Sequence, residues 1–110
     1  MTPVCGIYAL ADPDTGRIVY IGQSIDIKKR YSRHLSTVGI ANRRLCPWML
    51  ALRERGVRPK LLILCECARS ELNDKECFHI EAAKAVGEAE FNISVGGKSR
   101  RRIYATGRKK

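Results

Sequence analysis

The sequence predicts a small domain of the α/β (α+β) class, with strands and helices sharing one core. Three observations predict it. Two apolar runs with alternating character are separated by a short turn, as in an antiparallel hairpin. Three other stretches carry apolar residues at helical spacing. A chain of 110 residues with 45% hydrophobic residues can bury one modest core, but not two.

The first strand is expected from Val4 to Leu10 and the second from Arg17 to Gly22. Between them, Asp12-Pro13-Asp14-Thr15-Gly16 is rich in turn residues. A register with Leu10 opposite Ile18 pairs Tyr8 with Tyr20 and Gly6 with Gly22. Both tyrosines then share one face, with glycines beside them that leave room for close approach.

Ser24 is the expected cap of a first helix reaching about Ser36, with Asp26 in its first turn. Ile27, Tyr31, Leu35 and Val38 form its apolar side, flanked by Arg30 and His34 one turn apart. A second helix runs from about Leu45 to Arg55, with Pro47 in its first turn and Gly56 at its end. Its apolar face is Leu45, Trp48, Met49 and Leu52, where Trp48 reads as core more readily than as a base-stacking group. Lys60 to Glu66 reads as a buried third strand. Ser70 is the expected cap of a third helix ending near Gly87. A loop from Phe91 closes on Gly96-Gly97.

One charge in the third helix is out of place. Leu72, Ile80, Ala83 and Val86 make an apolar stripe, and Glu76 falls in its middle. Asp74 and Glu81 fall on the solvated side. A buried carboxylate without a partner costs several kcal/mol. Its partner is either a basic side chain such as Arg30 or a bound cation.

The net charge is +10 and is unevenly placed. Lys98, Arg100, Arg101, Arg102, Arg108, Lys109 and Lys110 bring seven cations with no acid, leaving +3 for residues 1–97. Such a tail suits contact with nucleic-acid phosphates, and equally suits a solvated terminus. Five cysteines at irregular spacing suggest a reducing compartment and no disulfide framework. Cys65-x-Cys67 lies in a strand pattern and Cys77-x-His79 in a helical one, so neither is a strong zinc signal. No apolar run is long enough to cross a bilayer and no secretory pattern opens the chain, so a cytoplasmic protein is expected.

The two strands contain Gly6-Ile7-Tyr8 and Tyr20-Ile21-Gly22. With Gln23-Ser24 after the second, Arg30 and His34 on the first helix, Ala51 to Gly56 on the second, Glu76 on the third, and Asn92 before Gly96-Gly97, the chain resembles the GIY-YIG nuclease family. The resemblance spans about Gly6 to Gly97. It implies a three-stranded antiparallel β-sheet flanked by helices, a catalytic domain over residues 1–97 and a basic tail over residues 98–110.

It also implies a metal-dependent DNA endonuclease, a hydrolase of phosphodiester bonds. Glu76 is then the metal-binding residue, for magnesium or another divalent cation such as manganese. Arg30 would hold the scissile phosphate, a task suited to a planar guanidinium. Tyr8 would activate water, with His34 assisting or exchanging that role. Tyr20 would orient water or phosphate, and Asn92 would brace the site. The tail cations would join Arg30 in binding DNA. Because such a tail contacts mainly phosphates, low sequence specificity is expected, with targeting left to a partner and a homodimer left open. The rival reading is a catalytically inactive DNA-binding module on the same fold.

Overall fold

The computed structural model describes residues 2–37 and 42–92. Three strands, β1 (Gly6–Ala11), β2 (Ile18–Ser24) and β3 (Lys60–Glu66), form one antiparallel sheet in the order β2-β1-β3. Three helices, α1 (Ile27–Thr37), α2 (Leu45–Glu54) and α3 (Leu72–Ala85), complete the α+β architecture.

β1 is the central strand, and all six of its residues are buried. Its side chains alternate between two cores, as the pleat of a strand requires. Ile7 and Ala9 join Ile21, Leu72, Ile80 and Ala83 on the α3 side. Tyr8 and Leu10 join Ile27, Leu45 and Met49 on the α1 and α2 side. Each fully buried Leu or Ile contributes about 1.5–3 kcal/mol relative to leaving it exposed. Among the described residues, the expected apolar stripes thus find their places, except Val86, which is 71% exposed. α3 ends at Ala85 and carries Val86 past the sheet.

The hairpin register differs from expectation by two residues. Tyr8 lies opposite Gly22, Leu10 opposite Tyr20 and Gly6 opposite Ser24. An irregularity between Leu10 and Ala11 and the turn after Ala11 set this offset. In that turn Asp12 accepts hydrogen bonds from the Asp14 and Thr15 amides through Oδ1, at 2.8 and 3.1 Å. A shift of two preserves parity, so Tyr8 and Tyr20 still share a face.

Three further expectations are corrected. Asp26, not Ser24, caps α1: its Oδ1 accepts the Lys29 amide at 3.2 Å, while Ser24 ends β2 and receives the Asp26 amide at 2.9 Å. Ser70 does not cap α3 but sits inside a 3-10 turn, Arg69–Glu71, where the Glu71 carboxylate accepts the Ala68 amide at 2.9 Å. β3 is not a buried strand: it is an edge strand with no fully buried residue, and its central Ile63 is 45% exposed. The α2 start owes its order to Asn42, whose Oδ1 accepts the amides of Arg44 and Leu45. Val38 and residues 93–110, including Gly96-Gly97 and the tail cations Lys98, Arg100, Arg101, Arg102, Arg108, Lys109 and Lys110, lie outside the described residues.

After α3 the chain turns at Gly87 (φ 80°), a left-handed conformation that glycine adopts without steric cost. It then runs along the outer edge of β2. Ala89 donates to the Ile18 carbonyl and Phe91 to the Val19 carbonyl, each at 2.9 Å. Asn92 finishes the pairing with its side chain. Its Nδ2 donates to the Ile21 carbonyl at 2.8 Å and its Oδ1 accepts the Ile21 amide at 2.9 Å. The buried carboxamide imitates one residue of a fourth strand. Asn92→Ala leaves both Ile21 groups without their partner and is expected to cost about 2–4 kcal/mol in urea melts; Asn92→Asp, which sets a buried carboxylate oxygen against the Ile21 carbonyl, should cost at least as much at neutral pH.

Candidate active site

The site is built around a phenol. β1 places Tyr8 in the middle of the sheet, fully buried. Its ring crosses to β2 and lies over Gly22, where a Cβ would meet the Tyr8 hydroxyl at 2.5 Å. The glycine after Ile21 is therefore a space requirement of Tyr8. Tyr20, on the same face, has its ring 6.5 Å from that of Tyr8.

α1 supplies the next two groups. Ile27, Tyr31 and Leu35 hold this helix on the tyrosine face of the sheet, and Tyr31 anchors it by donating its hydroxyl to the Pro59 carbonyl at 2.6 Å. Arg30 and His34 are thereby aimed at the tyrosines. The Tyr8 hydroxyl lies 2.7 Å from Nε2 of His34, with the Arg30 guanidinium near enough for its charge to act on the phenol. The His34 ring lies 5.8 Å from that of Tyr8 and 5.7 Å from that of Tyr20.

Protonation follows from burial and charge. Burial, reinforced by Tyr20 and Glu76, pushes the Tyr8 phenol well above its usual value near 10, and Arg30 opposes this only in part. Tyr20 is raised by burial and by the Glu76 charge. His34 moves the other way: burial, then the Arg30 charge, lowers it to about 4. At neutral pH both phenols are protonated and the imidazole is neutral. With the neutral imidazole protonated on Nδ1, its Nε2 accepts the Tyr8 proton across the 2.7 Å contact.

Glu76 reaches the site from α3, which packs on the opposite face. It is half-buried, and its Oε1 accepts from Gln23 Nε2 at 2.8 Å. The same Gln23 amide donates to Asn73 Oδ1 at 2.8 Å. Gln23 thus ties β2 to two residues of α3 one turn apart. The sequence noted this residue only as the neighbour of Gly22. Its odd place in β2 was the available signal, because it puts the side chain on the α3 face.

Of the six expected site residues, Tyr8, Tyr20 and His34 pack together, Arg30 and Glu76 act on the two phenols by charge, and Asn92 holds the backbone of Ile21 between Tyr20 and Gly22. Among the described residues, no three or more His, Cys, Asp or Glu side chains gather to hold a metal ion. Cys65 and Cys67 pack against the α3-side core as hydrophobes. The donor set is one hard carboxylate. It fits magnesium, which keeps several waters and commonly takes one or two protein carboxylates. It does not fit a structural zinc site, which needs four nitrogen or sulfur ligands. Trp48 is half-buried with its ring 5.7 Å from that of Phe91, as a core residue.

No helix among the described residues is long and apolar enough to cross a membrane. No curated protein and no solved structure matches the chain. The family model described as the GIY-YIG catalytic domain matches residues 4–84, which carry both tripeptides, Arg30, His34 and Glu76. The chain belongs to the GIY-YIG nuclease family.

Proposed function

We propose that the protein is a divalent-metal-dependent endonuclease that hydrolyses DNA phosphodiester bonds with low intrinsic sequence specificity. Residues 1–97 form its catalytic unit and residues 98–110 a basic tail that adds phosphate contacts. The observation that carries this reading is the 2.7 Å contact between the Tyr8 hydroxyl and His34, set within reach of the Arg30 and Glu76 charges. An inactive module that only binds DNA has no need of a protonated phenol linked to a neutral imidazole.

Hydrolysis needs an activated water, a neutralised phosphate and a protonated leaving oxygen. A bound divalent cation, held by Glu76 and most simply magnesium, would supply charge neutralisation at the phosphate. The protein supplies the proton path. Tyr8 is too weak an acid to ionise alone, but its proton already faces an unprotonated nitrogen. Tyr8 is closed to solvent at rest, so substrate binding must first bring water to its oxygen. As that water attacks phosphorus, its proton passes to the Tyr8 oxygen, the Tyr8 proton passes to His34, and the leaving oxygen takes a proton from solvent. The two residues act as one base, which joins the two roles the sequence left interchangeable. Arg30 holds the phosphate and stabilises charge developing on it and on the Tyr8 oxygen. Tyr20, also kept protonated, donates to a phosphate oxygen. Gln23 fixes the rotamer of Glu76 and is a positioning residue.

The decisive assay uses supercoiled plasmid with magnesium, beside excess chelator and beside Glu76→Ala. Nicking or linearisation is expected with magnesium alone and should vanish in the other two. Binding without cleavage across several divalent metals would establish the inactive module instead. Gln23→Ala should raise the magnesium needed for half-maximal rate about tenfold or more, with little change in the rate at saturation. An unchanged metal requirement would remove Gln23 from the site.

The His34 value also fixes a pH dependence. The folded value, about 4, lies below the usual 6.5, so the unfolded chain takes up the proton first. His34 should therefore make stability fall as pH drops from about 6.5 to about 4. The base should stay competent over the same window, giving kcat/KM an acid limb near 4. An acid limb at 6.5 or above that disappears in His34→Gln would contradict a buried neutral imidazole.

A further inference from the structure

The start of β1 and the end of β3 bring three thiols to one face of the sheet, away from the active site. Successive rungs of the ladder pair Ile7 with Cys65 and Gly6 with Glu66. The next rung sets Cys5 opposite Cys67, whose amide donates to the Cys5 carbonyl at 3.0 Å. Cys5, Cys65 and Cys67 all pack against the α3-side core, and each is half-buried. Gly6 lets the two strands draw close here, because a Cβ on it would collide with the Cys65 carbonyl.

Distance selects one pair of the three. Opposed residues on a hydrogen-bonded rung have their Cα atoms about 5.5 Å apart, where disulfides are commonest. Cys65 and Cys67 stand two residues apart along an extended chain, about 6.8 Å, at the outer limit for a bridge. Cys5 and Cys65 are diagonal neighbours, at about 7–8 Å and beyond that limit. The Cβ atoms of an opposed pair must close by up to about 1 Å to form the bond. The rung can yield that much, since both cysteines lie just outside the bounds of their strands.

We propose that Cys5 and Cys67 are a thiol–disulfide site, which a small-molecule disulfide oxidises to a bridge between the start of β1 and the end of β3. The Cys5 thiolate attacks one sulfur of the oxidant and expels the other as a thiolate, leaving a mixed disulfide. Cys67 then loses its proton to solvent, attacks the Cys5 sulfur and displaces the second small thiolate. Two protein thiols thus give up two electrons and two protons, and one small disulfide becomes two thiols. Burial, then the Cys65 and Cys5 sulfurs beside it, raise the Cys67 thiol, which makes its attack the slower step. The residue before Cys5 matters too: the Val4 carbonyl accepts the Ile27 amide at 3.0 Å, so the bridge also steadies the start of α1. The site stands independently of the nuclease reading.

The test incubates the reduced full chain with oxidised glutathione in native buffer, blocks the remaining thiols and maps the peptides without reduction. A Cys5–Cys67 bridge is expected as the main product, and it should still form in Cys65→Ser. The bridged protein should melt about 10 °C above the reduced one, and a dithiol should restore the lower midpoint. Because the map is made on the unaltered protein, it does not depend on how any variant folds. A main bridge from Cys5 or Cys67 to another cysteine, or a glutathione adduct that never closes, would overturn the site. So would a bridged protein that melts no higher than the reduced one.

Discussion

A tyrosine hydroxyl buried in the centre of a sheet must find polar partners inside the core, and the rest of the site follows from that demand. Tyr8 is wholly enclosed, so an unsatisfied hydroxyl there would cost about 1–3 kcal/mol. Its ring needs a residue without a side chain on β2, which Gly22 provides. Its hydroxyl needs a group from another layer, which His34 on α1 provides, with the Arg30 charge beside it. Fixing α1 over the sheet is then the work of Ile27, Tyr31 and Leu35. One hydrogen bond therefore connects the hairpin register, the placement of α1 and the protonation states at the site.

The same burial that stabilises this arrangement prepares its chemistry. A phenol kept protonated and an imidazole kept neutral are the two states between which a proton can move. Arg30 serves both ends: it opposes the imidazolium at rest and favours negative charge on the phenol oxygen. Glu76 enters from the other face and is steadied by Gln23, so the site draws on both layers of the domain. Asn92 contributes rigidity. By closing the β2 edge at Ile21, it holds the strand segment that carries Tyr20 and Gly22.

Most of this was legible in the sequence where a feature is periodic or locally odd. Alternation put Tyr8 and Tyr20 on one face, and helical spacing exposed Glu76 as a carboxylate inside an apolar stripe. What escaped was relational. Parity fixes the face of a strand residue but not its offset, and the one-residue irregularity at Leu10 and Ala11 together with the turn after it moved the partner of Tyr8 by two positions. Ser24 and Asp26 are both good caps, and only the end of β2 decides between them. Leu61 to Cys65 is as apolar as a central strand, yet β1 took the centre because it pairs on both sides. The Gln23–Glu76 bond joins elements 53 residues apart and leaves no periodic trace.

The central claim is that the Tyr8 hydroxyl, and not merely its ring, is the reactive group. Tyr8→Phe removes that oxygen and keeps the packing over Gly22. Single-turnover cleavage of plasmid by this variant, with magnesium and duplex both saturating, is the most direct measurement. The account predicts a rate lower by about 100-fold or more, with duplex binding and the folded state intact. A folded Tyr8→Phe protein that cleaves at the wild-type rate would contradict it and would assign the attacking water to a base that does not act through Tyr8.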